Sequence, residues 1–142
     1  MLGRKDYTQD ELDNGRARVK QQLSAYRKLA KDIGKSGDEG LAADLASFEE
    51  VFFNNLALTL DRLYVHRLRS VTSKGCTPLN ELELIVESLL NNDGVFRGNK
   101  VIKYRPSEAV VGLAEGDRIE LTARDFERLS AAVLDDIEGR FV

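Results

Sequence analysis

With 142 residues, 42% of them apolar and 32% charged, the chain has enough material for one domain spanning residues 1–142 with its own core, and its composition is not that of a disordered segment. A formal net charge of −3 gives no global basic field to recruit nucleic acid or an anionic membrane, and no apolar run reaches the length of a membrane span. The single Cys76 excludes an intramolecular disulfide, and the polar start Met-Leu-Gly-Arg-Lys-Asp has no apolar leader, so the expected location is the cytoplasm.

Charge is unevenly placed. Residues 1–75 carry 13 Lys/Arg against 11 Asp/Glu, and residues 76–142 carry 8 against 13. The expectation is two complementary faces within one fold.

In chain order, Thr8 followed three residues later by Glu11 is a capping box that opens a first helix. Its apolar positions are Leu12, Val19, Leu23, Tyr26, Ala30 and Ile33, which form a seam for a neighbouring helix. Arg16 interrupts the seam, and Gly15 beside it weakens the helix by about 1 kcal/mol relative to Ala. Gly34 supplies the expected stop. The opposite face is basic, with Arg18, Lys20, Arg27, Lys28 and Lys31; it reads as a solvated surface, with nucleic-acid contact as the alternative.

Residues 35–40 form a polar linker with two glycines, suited to an antiparallel turn. A long second helix is predicted over residues 41–71, which contain no Pro or Gly. Its main apolar stripe is Leu41, Leu45, Phe48, Phe52, Leu56 and Leu63, widened by Phe53, Tyr64 and Leu68. So much apolar circumference suggests a central helix contacted from several sides, or one that also forms a homodimer interface.

Thr77 and Pro78 open a third helix as N-cap and first residue, with Leu79, Leu82, Ile85, Val86, Leu89 and Leu90 on its apolar face. Residues 91–94 (Asn-Asn-Asp-Gly) end it. Short β-branched and aromatic runs follow at 95–96, 101–104 and 118–121, bounded by turn sequences, and predict a small antiparallel sheet of two or three strands. Thr122 caps a last helix with Asp125 at the capping-box position and a stripe of Phe126, Leu129, Val133, Ile137 and Phe141. The expected class is α+β, mainly α, with about four helices and the sheet placed before the last of them.

Catalytic signatures are sparse. The chain has no Cys-x-x-Cys, no His-Glu-x-x-His and one histidine, so neither a metal nor a cofactor is expected. Gly94 to Gly98 and Gly112 to Gly116 are too thinly spaced for a phosphate-cradling loop, and Cys76 has no accompanying His or second Cys. The candidate site is a polar seam on the second helix. Asn55, Thr59, Arg62, His66 and Arg69 follow at steps of four, three, four and three, between apolar flanks. If buried, these groups need partners. They would join helices two and three through acids such as Glu81, Glu83 and Glu87, or they would bind an anion.

The strings Leu60-Asp61-Arg62-Leu63-Tyr64-Val65-His66-Arg67-Leu68-Arg69, Thr77-Pro78-Leu79-Asn80-Glu81 and Gly116-Asp117-Arg118-Ile119-Glu120-Leu121-Thr122 together resemble a group of short uncharacterised proteins of high-GC Gram-positive bacteria. That resemblance implies a bacterial cytoplasmic protein and carries no activity to transfer. A second comparison is with HEPN-type ribonucleases, which place Arg and His on one helix as Arg-x(4–6)-His across a dimer. Here three residues separate Arg62 from His66 and Leu63 follows Arg62 directly, which departs from that pattern.

Two functions are therefore carried forward. One is a non-enzymatic protein-interaction or scaffold domain, a homodimer that takes protein partners. The other is an RNA- or nucleotide-processing enzyme using Arg62 and His66.

Overall fold

The computed structural model describes residues 3–142. Among them are four α-helices: α1 (Gln9–Ser36), α2 (Glu39–Leu63), α3 (Pro78–Asn91) and α4 (Ala123–Phe141), with one-turn 3₁₀ segments at Arg69–Thr72 and Pro106–Glu108. Each α-helix starts where a side-chain oxygen meets its free amides. Thr8 and Glu11 exchange side-chain and backbone bonds of 3.1 Å at α1. Asp38 accepts from Leu41 N at 3.1 Å to open α2, and Thr77 accepts from Asn80 N at 3.1 Å beside Pro78 to open α3. Thr122 and Asp125 complete a second capping box at α4.

α2 and α4 each pack against the other three helices. The core is built from Leu12, Val19 and Leu23 of α1, Phe53, Ala57 and Leu60 of α2, Leu82 and Ile85 of α3, and Phe126, Leu129, Val133 and Ile137 of α4. Arg16, which interrupts the apolar seam of α1, reaches Asp135 and Glu138 of α4 at 2.9 and 2.5 Å. The acidic C-terminal half and the more basic N-terminal half thus meet along α1 and α4, where Arg27 also pairs with Glu127 at 2.6 Å.

The expected α+β class is corrected to all-α, because no strand forms among the described residues. Val95 and Arg118 make an isolated antiparallel bridge, and Arg4 and Arg67 a parallel one. The apolar side chains of the expected strands, Phe96, Ile102, Ile119 and Leu121, are buried as separate plugs. Around the Val95–Arg118 bridge Phe96 N donates to Asp117 O, Gly116 N to Phe96 O and Ile119 N to Gly94 O; beyond it, side chains and not a ladder satisfy the backbone. Asn54 of α2 donates to Ile119 O at 2.8 Å and accepts from Leu121 N at 3.1 Å, taking the place a neighbouring strand would occupy. Asn99 Oδ1 accepts from Val101 N and Ile102 N at 3.0 and 2.7 Å.

Three boundaries also move. α1 continues through Gly34 and stops at Gly37, whose φ of 67° is the left-handed conformation favoured at a helix end. α2 begins at Glu39 and ends at Leu63, eight residues short of the expected Val71. The absence of Pro and Gly removes obstacles to a helix but does not hold one together. At Tyr64 the chain turns, the backbone at 66–68 pairs with Arg4 (Arg4 N to His66 O, Leu68 N to Arg4 O, both 2.7 Å), and Arg67 folds back onto α2.

Candidate functional site

The turn after α2 gathers the most unusual polar chemistry in the protein. Arg67 is 3% exposed. Its Nη1 donates to Asp61 Oδ1 at 3.0 Å and to Tyr64 O at 3.1 Å. A buried ion pair of this kind is worth little against a well-packed apolar pair, yet breaking it by removing one partner typically costs about 3–5 kcal/mol. Burial, then the neighbouring charge of Arg69, pull the Arg67 guanidinium below its ordinary pKa, while Asp61 raises it. Arg69, on the 3₁₀ turn, stands 3.9 Å from Glu83 of α3.

Beside this turn lies a cleft of about 640 Å³ lined by Arg69, Ser70, Ser73, Lys74, Asn80, Glu83, Asn99, Val101 and Ile102. Its walls are fixed by side chains bonded to backbone. Asn80, buried on α3, donates to Ser73 O at 3.2 Å and to Gly75 O at 2.8 Å. Lys103 N donates to Lys74 O at 2.7 Å, which holds residues 99–103 against the 73–75 loop. Below it, Glu81 is 1% exposed and its carboxylate accepts from the amides of Val110, Val111 and Gly112 at 2.8, 2.9 and 3.2 Å. Glu81 therefore anchors the 110–112 loop and is closed off from solvent.

The five residues expected to form a buried seam are dispersed. Asn55, Thr59 and Arg62 lie on α2 and are exposed; His66 is exposed in the turn beyond the helix. Arg69 is half-buried on the following 3₁₀ segment, and of the five it alone lines the cleft. The seam residues on α2 face solvent because the buried arc of the helix runs through Phe53, Leu56, Ala57 and Leu60, so that of the expected main stripe only Leu56 is buried. Since α2 ends between Arg62 and His66, the shared-helix geometry of a HEPN-type site is not present. The expected bridge between this region and α3 survives only as Arg69–Glu83.

Sequence reasoning missed Asp61, Arg67 and Asn80. Asp61 and Arg67 are six apart, a spacing that brings side chains together only if the helix ends between them. The buried Asn80, by contrast, follows a clear N-cap and sits in the first turn of an amphipathic helix, so its place was readable although its partners were not.

Among the described residues, no group of three His, Cys, Asp or Glu side chains is placed to hold a metal ion, and no helix is long and apolar enough to cross a membrane. Comparison with protein-family models, with curated proteins and with solved structures returns no match to this chain.

Proposed function

We propose that this chain is a non-enzymatic protein-interaction module, and that the outer face of the α1–α2 hairpin docks a second copy of itself. The observation that carries this reading is the solvent exposure of Leu29 on α1 and Leu41, Phe48 and Val51 on α2, which are between 44 and 59% exposed. Leu41, Phe48 and Val51 are seven and three residues apart, so they share one face of the helix. Asn55, Thr59 and Arg62 continue that face toward its C-terminal end. Of residues 39–48, only Leu45 is not exposed. The first half of α2 therefore presents apolar surface that the other described residues do not cover.

Charge favours self-association over an unrelated partner. The end of α1 carries Lys28, Lys31 and Lys35 against Asp32, Arg27 being paired with Glu127 of α4. The start of α2 carries Glu39, Asp44, Glu49 and Glu50, and no Lys or Arg occurs between Lys35 and Arg62. A two-fold axis across the hairpin would set the basic edge of one copy against the acidic edge of the other, twice.

Sedimentation at micromolar concentration tests this. The wild type is expected as a dimer, and Leu41→Glu combined with Val51→Glu as a monomer whose melting temperature no longer depends on protein concentration. The variant keeps the wild-type helix content, because neither side chain belongs to the core of the single chain. A wild-type monomer at every concentration overturns the reading.

A further inference from the structure

Leu41, Phe48, Asn55 and Arg62 of α2 follow one another at steps of seven, and Asp44, Val51 and Leu58 stand three residues after the first three of them. Steps of three and four in alternation mark a seam along which one helix packs against another. This seam is open: all of its side chains are exposed except Leu58, which is half-buried. It runs on the side of α2 away from Phe53, Ala57 and Leu60, which fill the core. Phe48 is held in place on it, its ring stacked on Phe52 at 4.9 Å between centroids, and Phe52 in turn stacks on Tyr26 of α1 at 6.0 Å.

The seam complements itself when reversed. Turned end for end about the point midway between Glu49 and Glu50, it sets Leu41 opposite Leu58, Asp44 opposite Asn55 and Phe48 opposite Val51. Apolar meets apolar, and the carboxylate of Asp44 meets the amide donors of Asn55. The same turn brings Arg62, the one cation of α2, to the acidic start of the helix at Asp38 and Glu39. Parallel pairing in register has the opposite result. Each residue would then face its own counterpart, Asp44 against Asp44 and Arg62 against Arg62, with like charges at both places.

From this self-complementary order we propose that the second copy docks antiparallel, α2 against α2, with the two-fold axis between Glu49 and Glu50 and Arg62 of each copy at Asp38 and Glu39 of the other. The proposal rests on self-association through the hairpin face and adds its orientation and register. Asn55 and Asp44 hold that register, because a slip of one heptad sets Asn55 against Val51 or Asp44 against Phe48. A contact made by the same surface on both copies closes on itself, so assembly stops at two.

Disulfide trapping tests the orientation. In a Cys76→Ser background, Leu41→Cys and Leu58→Cys proteins are oxidised separately and as a mixture. The mixture is expected to give a covalent heterodimer and neither protein alone a homodimer, since the two copies of residue 41 stand roughly 25 Å apart along the paired helices. Charge exchange tests the ends. Arg62→Glu and Glu39→Lys should each weaken the dimer several-fold in sedimentation, and the two together should restore most of the loss. Within one chain these positions are roughly 35 Å apart along α2, so such a rescue acts only between copies. The antiparallel register is overturned, with the hairpin reading left standing, if the wild type is a dimer yet the mixture gives no heterodimer, either cysteine protein traps itself, or the two charge losses add. A wild-type monomer at every concentration overturns both.

Discussion

A Cβ placed on Gly15 of α1 would lie 2.1 Å from the hydroxyl of Tyr64, well inside contact distance, and 3.2 Å from Leu134 Cδ2. Tyr64 caps the end of α2, is 2% exposed, and donates to Glu11 O at 3.2 Å. Gly15 thus gives up helix propensity so that the ring of Tyr64 can cross α1, and burial holds the phenol pKa up at about 12.

Gly15→Ala is therefore expected to destabilise the protein by about 1–3 kcal/mol, opposite in sign to the gain of about 1 kcal/mol its helix propensity alone predicts. Tyr64→Phe should cost about 0.5–1.5 kcal/mol by itself through loss of its hydrogen bond. Because the two positions are in contact, the double variant should be more stable than the sum of the single effects. Urea denaturation of the four proteins measures that coupling, and a neutral or stabilising Gly15→Ala would show that Tyr64 yields freely.

Glu81 offers a different test, since its carboxylate serves three amides of the 110–112 loop. Glu81→Gln keeps the shape but turns an NH₂ group toward backbone donors. The expected loss is about 1–3 kcal/mol or more, with faster hydrogen exchange at Val110, Val111 and Gly112 than in the wild type. Exchange that is uniform across the chain would count against a local anchor.

Acid stability should carry the mark of Glu11. Its paired bonds with Arg4 (2.6 and 2.7 Å), followed by the amide of Thr8, hold its carboxyl down at about 2 from an ordinary 4.5. A depressed carboxylate pKa stabilises the folded state above the unfolded value, so this contribution is present at neutral pH. It fades as pH falls from about 4.5 toward 2. Both side chains are more than a third exposed, so solvent screening limits the effect to about 1 kcal/mol or less. In melts across that window Arg4→Gln should flatten the pH dependence; a slope equal to the wild type would place the acid sensitivity elsewhere.

Short-range features were legible from the chain. Thr8 with Glu11, Thr77 with Pro78, and Thr122 with Asp125 mark helix starts, because the atoms that satisfy one another there lie within three residues. The α4 stripe was equally clear, since Phe126, Leu129, Val133, Ile137 and Phe141 repeat with the helix and all are buried. The polar seam was not legible. Periodicity aligned Asn55, Thr59 and Arg62 correctly on one face, but which face meets the core depends on neighbours far along the chain.

The capped starts of α1, α3 and α4 and the apolar stripe of α4 follow from the sequence itself, because their energies are set by residues a turn or so apart. Tertiary structure alone decided that α2 stops at Leu63, that Arg67 folds back onto Asp61, and that residues 95–121 satisfy their backbone through a short backbone bridge together with Asn54, Asn99 and Glu81 instead of a sheet. In most of these contacts the partners are tens of residues apart, and an isolated hydrogen-bonding side chain looks the same in sequence whether its partner is water, a helix or a loop. The packed core excludes water from those positions, and that exclusion makes each partner obligatory.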